Sequence, residues 1–226
     1  DVNVKLLDYT IQLFKDNGLF SDYYGYHNVD HELEVTYVTL LSGIHALGDN
    51  YLTRDDLNYL YAAALLHDFD PEKSMDKPHE KNVIQLISKN KTIRQLLTNA
   101  DLDHNLICAL ISRTVYPWKG DIIGNTGKLI DNYFSKSKIK KDKKQQEHFR
   151  VLGHFLSVAD RIGGYSLGDF QKAMEMAKMN AHSSSWHPAF IVRRSVGFFE
   201  DMLNSEPDMC QRVLNGIPKN MRKNFL

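Results

Sequence analysis

The stretch TRDDLNYLYAAALLHD, residues 53–68, decides the fold class. Thr53 and Asp56 have the spacing of a capping box, in which a hydroxyl and a carboxylate satisfy the free amides of a first helical turn. Leu57, Leu60, Tyr61, Ala64 and Leu65 then recur at three and four residues, which predicts the buried face of a helix. The run ends on His67 and Asp68, two metal-ligating side chains delivered by the apolar approach YAAALL. Successive helical residues diverge by about 100°, so this pair shares an ion only where the helix stops and the ion lies beyond its last turn. An imidazole and a carboxylate taken into a core need partners or a metal to offset their desolvation.

Working outward, the helical period fills nearly every patterned segment. VKLLDYTIQLFKDNG (4–18) closes on Asn17-Gly18, and HELEVTYVTLLSGIHALG (31–48) sets Val35, Val38 and Leu41 on one face with Gly48 past its end. Asp103 caps a helix carrying Leu106, Ile107, Leu110 and Ile111, and Pro117 prevents its continuation. A long helix is predicted from about Gln145 to Ile162, through Phe149, Leu152, Phe155, Leu156 and Ala159. A break at Gly163-Gly164 follows, then helices in DFQKAMEMAKM (169–179) and HPAFIVRRSVGFFEDML (187–203), the second with Pro188 in its first turn. PWKGDIIGNTGK (117–128) reads as a Gly-rich surface loop, and the lysine cluster SKSKIKKDKKQQ (135–146) as a solvated connection and helix start. With no alternating strands and no fixed-period repeat, the expected fold is all-α, a single compact multi-helix domain over residues 1–226.

Composition narrows the function classes. Lys+Arg and Asp+Glu balance at 28 each, so no global field draws the chain to nucleic acid or a membrane surface. Hydrophobic residues make up 42%, which excludes a disordered chain. Two cysteines, Cys108 and Cys210, make no disulfide framework, and a reducing, cytoplasmic setting is expected. No apolar run approaches a membrane span, and no signal-peptide pattern opens the sequence. It begins at Asp1 rather than Met, which leaves flanking domains outside it open, as it does a homodimer.

YHNVDH (26–31) brings two histidines four residues apart to the start of an amphipathic run. If both are helical, His27 and His31 share a face about 5–6 Å apart, one able to bind an ion while the other stands just outside. Asp160, in SVADRIGG, ends a long apolar helix as Asp68 does. His31, His67, Asp68 and Asp160 together make a mixed nitrogen and oxygen set, suited to Zn, Mn, Fe or Mg with positions open for water and substrate.

The ordered motifs Tyr26-His27-Asn28 with His31, then His67-Asp68, then Asp160, resemble those of the HD-domain metal-dependent phosphohydrolases. The YHN form is most similar to the catalytic domain of class I cyclic-nucleotide phosphodiesterases. The resemblance implies an all-α bundle in which His31, His67, Asp68 and Asp160 bind one divalent ion and Asp68 bridges to a second. It also implies that His27 gives a proton to the leaving oxygen. Two positions depart from the pattern: Pro71 stands where a further histidine is expected, and Gln211, followed by Leu214, makes a poor purine reader. The resemblance thus carries phosphoester chemistry further than cyclic-nucleotide specificity.

His79 and His104 follow the HD pair in the order by which some HD families hold a second metal, against the alternative of surface histidines. Arg113 and Arg161 are candidates for phosphate, because a guanidinium fork matches its oxygens, with an ion pair the competing role for Arg161. Asn28 joins them as a substrate-binding candidate. His45, His148, His154, His182 and His187 have no motif around them and read as structural. The expected reaction is hydrolysis of a phosphoester, of phosphodiester or nucleotide type, by metal-activated hydroxide, with His27 as general acid and Asp68 bridging one or two ions. Two alternatives are a di-iron oxygenase, which needs both His79 and His104, and a non-catalytic nucleotide-binding module.

Overall fold

Side-chain caps set the starts of the central helices in this computed structural model, which describes residues 2–19, 26–72, 78–167, 169–181, 185 and 187–225. Among the described residues the α-helices run as α1 (Val2–Asp16), α2 (Val29–Gly48), α3 (Arg54–Leu66), α4 (Glu80–Lys89), α5 (Lys91–Asn99), α6 (His104–Ser112), α7 (Asp121–Lys136), α8 (Lys143–Ser166), α9 (Phe170–Asn180), α10 (Ile191–Ser205) and α11 (Pro207–Gly216), with no strand. The expected all-α bundle is what forms. Asn28 caps α2, the Thr53 and Asp56 capping box opens α3, and Asp103 caps α6.

α3 is the hub, packed on α1, α2, α6 and α8. Ala62, Ala63 and Ala64 are fully buried along with Leu65 and Leu66, because small side chains let neighbours approach that turn from every side. Leu57 and Tyr61 are only half-buried, and the Tyr61 hydroxyl donates to the Asn3 carbonyl at 2.7 Å where α1 crosses. The helix therefore delivers His67 and Asp68 to the centre of the molecule rather than to a surface.

Three expectations need correction. Gly163-Gly164 does not break the helix, because α8 continues through both to Ser166. Gly163 lies against α2, where a Cβ would come 3.1 Å from the Val35 Cα, and Gly164 makes room for the Tyr26 ring. Close approach, not a stop, is why glycine stands there. Residues 121–128, expected in a loop, belong to α7, which docks on α6 through Ile130 and Phe134. Only the four residues before α7 are irregular, with Gly120 at φ +56°, a conformation that glycine adopts at low cost. Pro188 does not open an α-helix; Pro188–Phe190 is a 3-10 turn leading into α10.

The lysine cluster does form a solvated connection, with Lys138, Lys140 and Lys141 exposed between α7 and α8. Cys108 and Cys210 are free and buried. Among the described residues no helix is long and apolar enough to cross a membrane.

Candidate metal centre

α2 begins, α3 ends and α8 nears its end at one place, and each contributes to a single side-chain group. The Asn28 side chain accepts from the Asp30 amide at 3.0 Å and the His31 amide at 3.1 Å, which fixes the turn carrying His31. α3 stops at Leu66, so His67 and Asp68 can turn together, as the spacing of that stretch requires. His67 Nε2 lies 3.3 Å from Asp68 Oδ2 and 3.3 Å from Asp160 Oδ1. His31 Nε2 lies 3.3 Å and 3.5 Å from the same two oxygens. One ligand atom from each of His31, His67, Asp68 and Asp160 falls within 4.8 Å of all the others.

Both imidazoles are fully buried, yet neither His31 Nε2 nor His67 Nε2 has a hydrogen-bond partner among the described residues. Buried nitrogens left this way cost free energy unless something else meets them. Two ligands each 2.0–2.2 Å from an ion at a tetrahedral angle stand about 3.3–3.6 Å apart, the spacing seen here. The four residues thus fit a divalent metal ion in both donor type and separation, and the group can hold one.

Without an ion the charges are strongly coupled. Burial opposes charging the His31 ring, but the Asp160 and Asp68 carboxylates outweigh it and raise its pKa to about 9. His67 is raised well above its usual value against the same burial, by Asp68 first and then by Glu32 and Asp160. Burial would raise Asp68, yet His67, His31 and His27 hold it down at about 2, and Asp160 is lowered by His67 and His31 in the same way.

Glu32 stands behind the group, a position that its place in the sequence does not announce. Its side chain is fully buried, and its Oε1 lies 3.2 Å from His67 Nδ1 and accepts the Asp68 amide at 3.2 Å. The Ala64 carbonyl is also 2.7 Å from His67 Nδ1. With acceptors on that side, the neutral His67 ring keeps its proton on Nδ1 and turns its Nε2 lone pair to the group. Asp70, also fully buried and likewise unannounced, accepts from the His79 amide at 3.0 Å and from Asn82 Nδ2 at 3.1 Å, tying the start of α4 to the end of α3.

The group opens to a cleft of about 1030 Å³, lined by Tyr26, His27, Asp68 and Asp160 at its floor. His27 precedes α2, with its ring 5.5 Å from that of His31 and its Nε2 3.8 Å from Asp68 Oδ2. Tyr26 lies with its ring 4.2 Å from His31 and stacks at 6.0 Å on Tyr165.

No family model, curated protein or solved structure matches this chain.

The other candidates fall outside the group. His79 is exposed at the N-cap of α4, where its side chain makes no capping bond. His104 opens α6, where burial and then Arg94 lower its pKa. A di-iron reading needs both and receives neither in the group. Arg161 forks onto Glu206, at 2.7 and 3.0 Å, and its Nε donates to the Ser157 carbonyl at 3.0 Å. Arg113 stacks over Trp118 at 4.0 Å and reaches Ser157 Oγ at 3.4 Å; burial brings its pKa down to about 10. Gln211 is exposed on α11 and bonds Asn215. Of the histidines read as structural, His148 pairs with Asp56 at 2.9 Å, His154 with Glu206 at 2.5 Å and His45 with Asp49 at 3.4 Å. The His187 Nδ1 accepts the Ala189 amide at 3.2 Å, and His182 lies outside the described residues.

Proposed function

We propose that this chain is a metal-dependent phosphohydrolase acting on a small phosphoester of phosphodiester or nucleotide type. The observation that carries the reading is the pair of orphaned nitrogens, His31 Nε2 and His67 Nε2, which converge with two carboxylate oxygens at the floor of an open cleft. The order of these residues along the chain, which resembles that of the HD-domain phosphohydrolases, supports it.

His31, His67, Asp68 and Asp160 would hold the ion. A divalent ion supplies Lewis acidity there, lowering the pKa of a water and neutralising phosphoryl charge. Asp68 and Asp160 keep their oxygens ionised, while Glu32 holds the His67 proton on Nδ1, away from the cleft. His27, at the edge of the group, donates its Nε2 proton to the departing oxygen. Tyr26 and the Ala62–Leu66 turn close the apolar side, which keeps bulk water from the buried imidazoles.

The test has two parts. Elemental analysis should find about one ion in the wild type and none in His67→Ala. The metal-loaded protein should then hydrolyse members of a phosphoester panel with Mn, Mg, Zn or Fe. A protein that retains its ion and turns over no phosphoester with any of the four overturns the reading.

A further inference from the structure

α10 presents two unpaired arginines to the same cleft. Arg193 and Arg194 line it together with Lys119, from the segment before α7. All three are exposed, and none has a carboxylate partner among the described residues. Arg161, which lines the same cleft, is already engaged by Glu206. Asp201 lines the cleft as well, but it lies about two turns along α10 from the arginines, roughly 10–12 Å at 1.5 Å per residue, and pairs with neither. Glu80 is the remaining carboxylate outside the metal group.

A phosphoryl group at the floor would be met by the ion, and none of the three basic residues belongs to the ligand group there. A volume of about 1030 Å³ also exceeds what a lone phosphate fills. We infer that the cleft takes a phosphoester carrying a second anionic group, held by Arg193, Arg194 and Lys119 while the scissile phosphate sits at His31, His67, Asp68 and Asp160. Guanidinium forks match the oxygens of a phosphate or a carboxylate in bidentate fashion, and both side chains line the cleft although their positions on α10 diverge by about 100°. Tyr116 and Phe198, edge to face at 5.4 Å, give the cleft an apolar wall for the part of the molecule joining the two anions.

This inference rests on the phosphoester reading, and a binding experiment separates the two. Metal-loaded protein freed of excess ion is titrated with propylphosphonate, with propane-1,3-diylbisphosphonate and with 4-phosphonobutyrate. None of the three is hydrolysed, so turnover plays no part. The bisphosphonate should bind about tenfold tighter or more than propylphosphonate, as one or two charge-assisted contacts imply. Arg193→Ser/Arg194→Ser should bring that ratio close to one, with helicity and metal content checked on the same sample. If 4-phosphonobutyrate matches the bisphosphonate, the wall accepts any second anion; if it matches propylphosphonate, the wall demands a second phosphoryl group. Equal affinities in the wild type, or a ratio unchanged in the double variant, overturn the inference even where phosphoesters are hydrolysed. A ratio that collapses in the double variant of a protein inert to all phosphoesters supports it and leaves the catalytic reading to fail alone.

Discussion

The Glu32 carboxylate lies 3.2 Å from His67 Nδ1, a buried acid behind a buried imidazole. Because the same oxygen accepts the Asp68 amide, one side chain on α2 sets the direction of two successive ligands at the end of α3. Removing such a support from a metal-binding histidine costs about 10- to 100-fold in metal affinity. Glu32→Gln should show that loss in a competition assay with a chromophoric chelator, while circular dichroism keeps its helical signal. Unchanged affinity would show that the Ala64 carbonyl alone orients the ring.

His27 should separate from the ligands by the leaving group it serves. A general acid contributes about 10²–10⁴-fold when the departing oxygen is a poor leaving group. His27→Ala should therefore lose most activity on an alkyl phosphoester, lose far less on a p-nitrophenyl ester, and keep its metal. His31→Ala should lose the metal and fail on both. Equal slowing of both esters by His27→Ala, with metal retained, would make His27 a positioning residue.

The pH dependence has opposite signs for the ion and for the empty fold. A metal needs neutral imidazoles, and His31 ionises at about 9 with His67 also raised. Metal affinity should climb from pH 6.5 to 9, by up to about two log units per pH unit while both rings are protonated. In the metal-free protein the raised His31 pKa gives stability that is present below pH 6.5 and lost as pH rises through 9. Thermal melts with and without bound metal should diverge across that window. Parallel melting curves would mean that the imidazoles are neutral without the ion.

Two glycine substitutions should differ in sign. Gly124 sits on the exposed side of α7 with nothing near an added Cβ, so Gly124→Ala should stabilise by about 0.5–1 kcal/mol. A Cβ at Gly163 meets the Val35 backbone at 3.1 Å, so Gly163→Ala should cost about 1–3 kcal/mol as overpacking. Denaturant midpoints measure both. A stabilising Gly163→Ala would show that α2 yields at Val35 and that the approach of the two helices does not require glycine.

The contrast between those two positions shows what a single sequence carries. His67 and Asp68 were legible as a pair because a capped apolar helix states where it ends and how deep it goes. Asp160 was legible for the same reason. α7 was not, since the glycines of residues 117–128 are a local signal, whereas docking of Ile130 and Phe134 on α6 is a tertiary one. Glu32 was hidden because an acid in a first turn ordinarily favours the helix dipole from solvent, and nothing in HEL says that it points inward. An ion pair is one expectation for Arg161, but its partner Glu206 lies 45 residues away, beyond any local pattern.

The four candidate ligands come from the start of α2, the end of α3 and the distant α8, spread along the chain from residue 31 to residue 160. An ion held there is a cross-link, and its binding free energy belongs to the folded chain alone. At a free concentration a hundredfold above its dissociation constant, an ion adds about 2.7 kcal/mol to stability by mass action. Destabilising changes far from the cleft then need not reach the metal group to be felt, because abundant metal conceals them and scarcity uncovers them. Metal supply would govern how much of this protein is folded as well as how much is active.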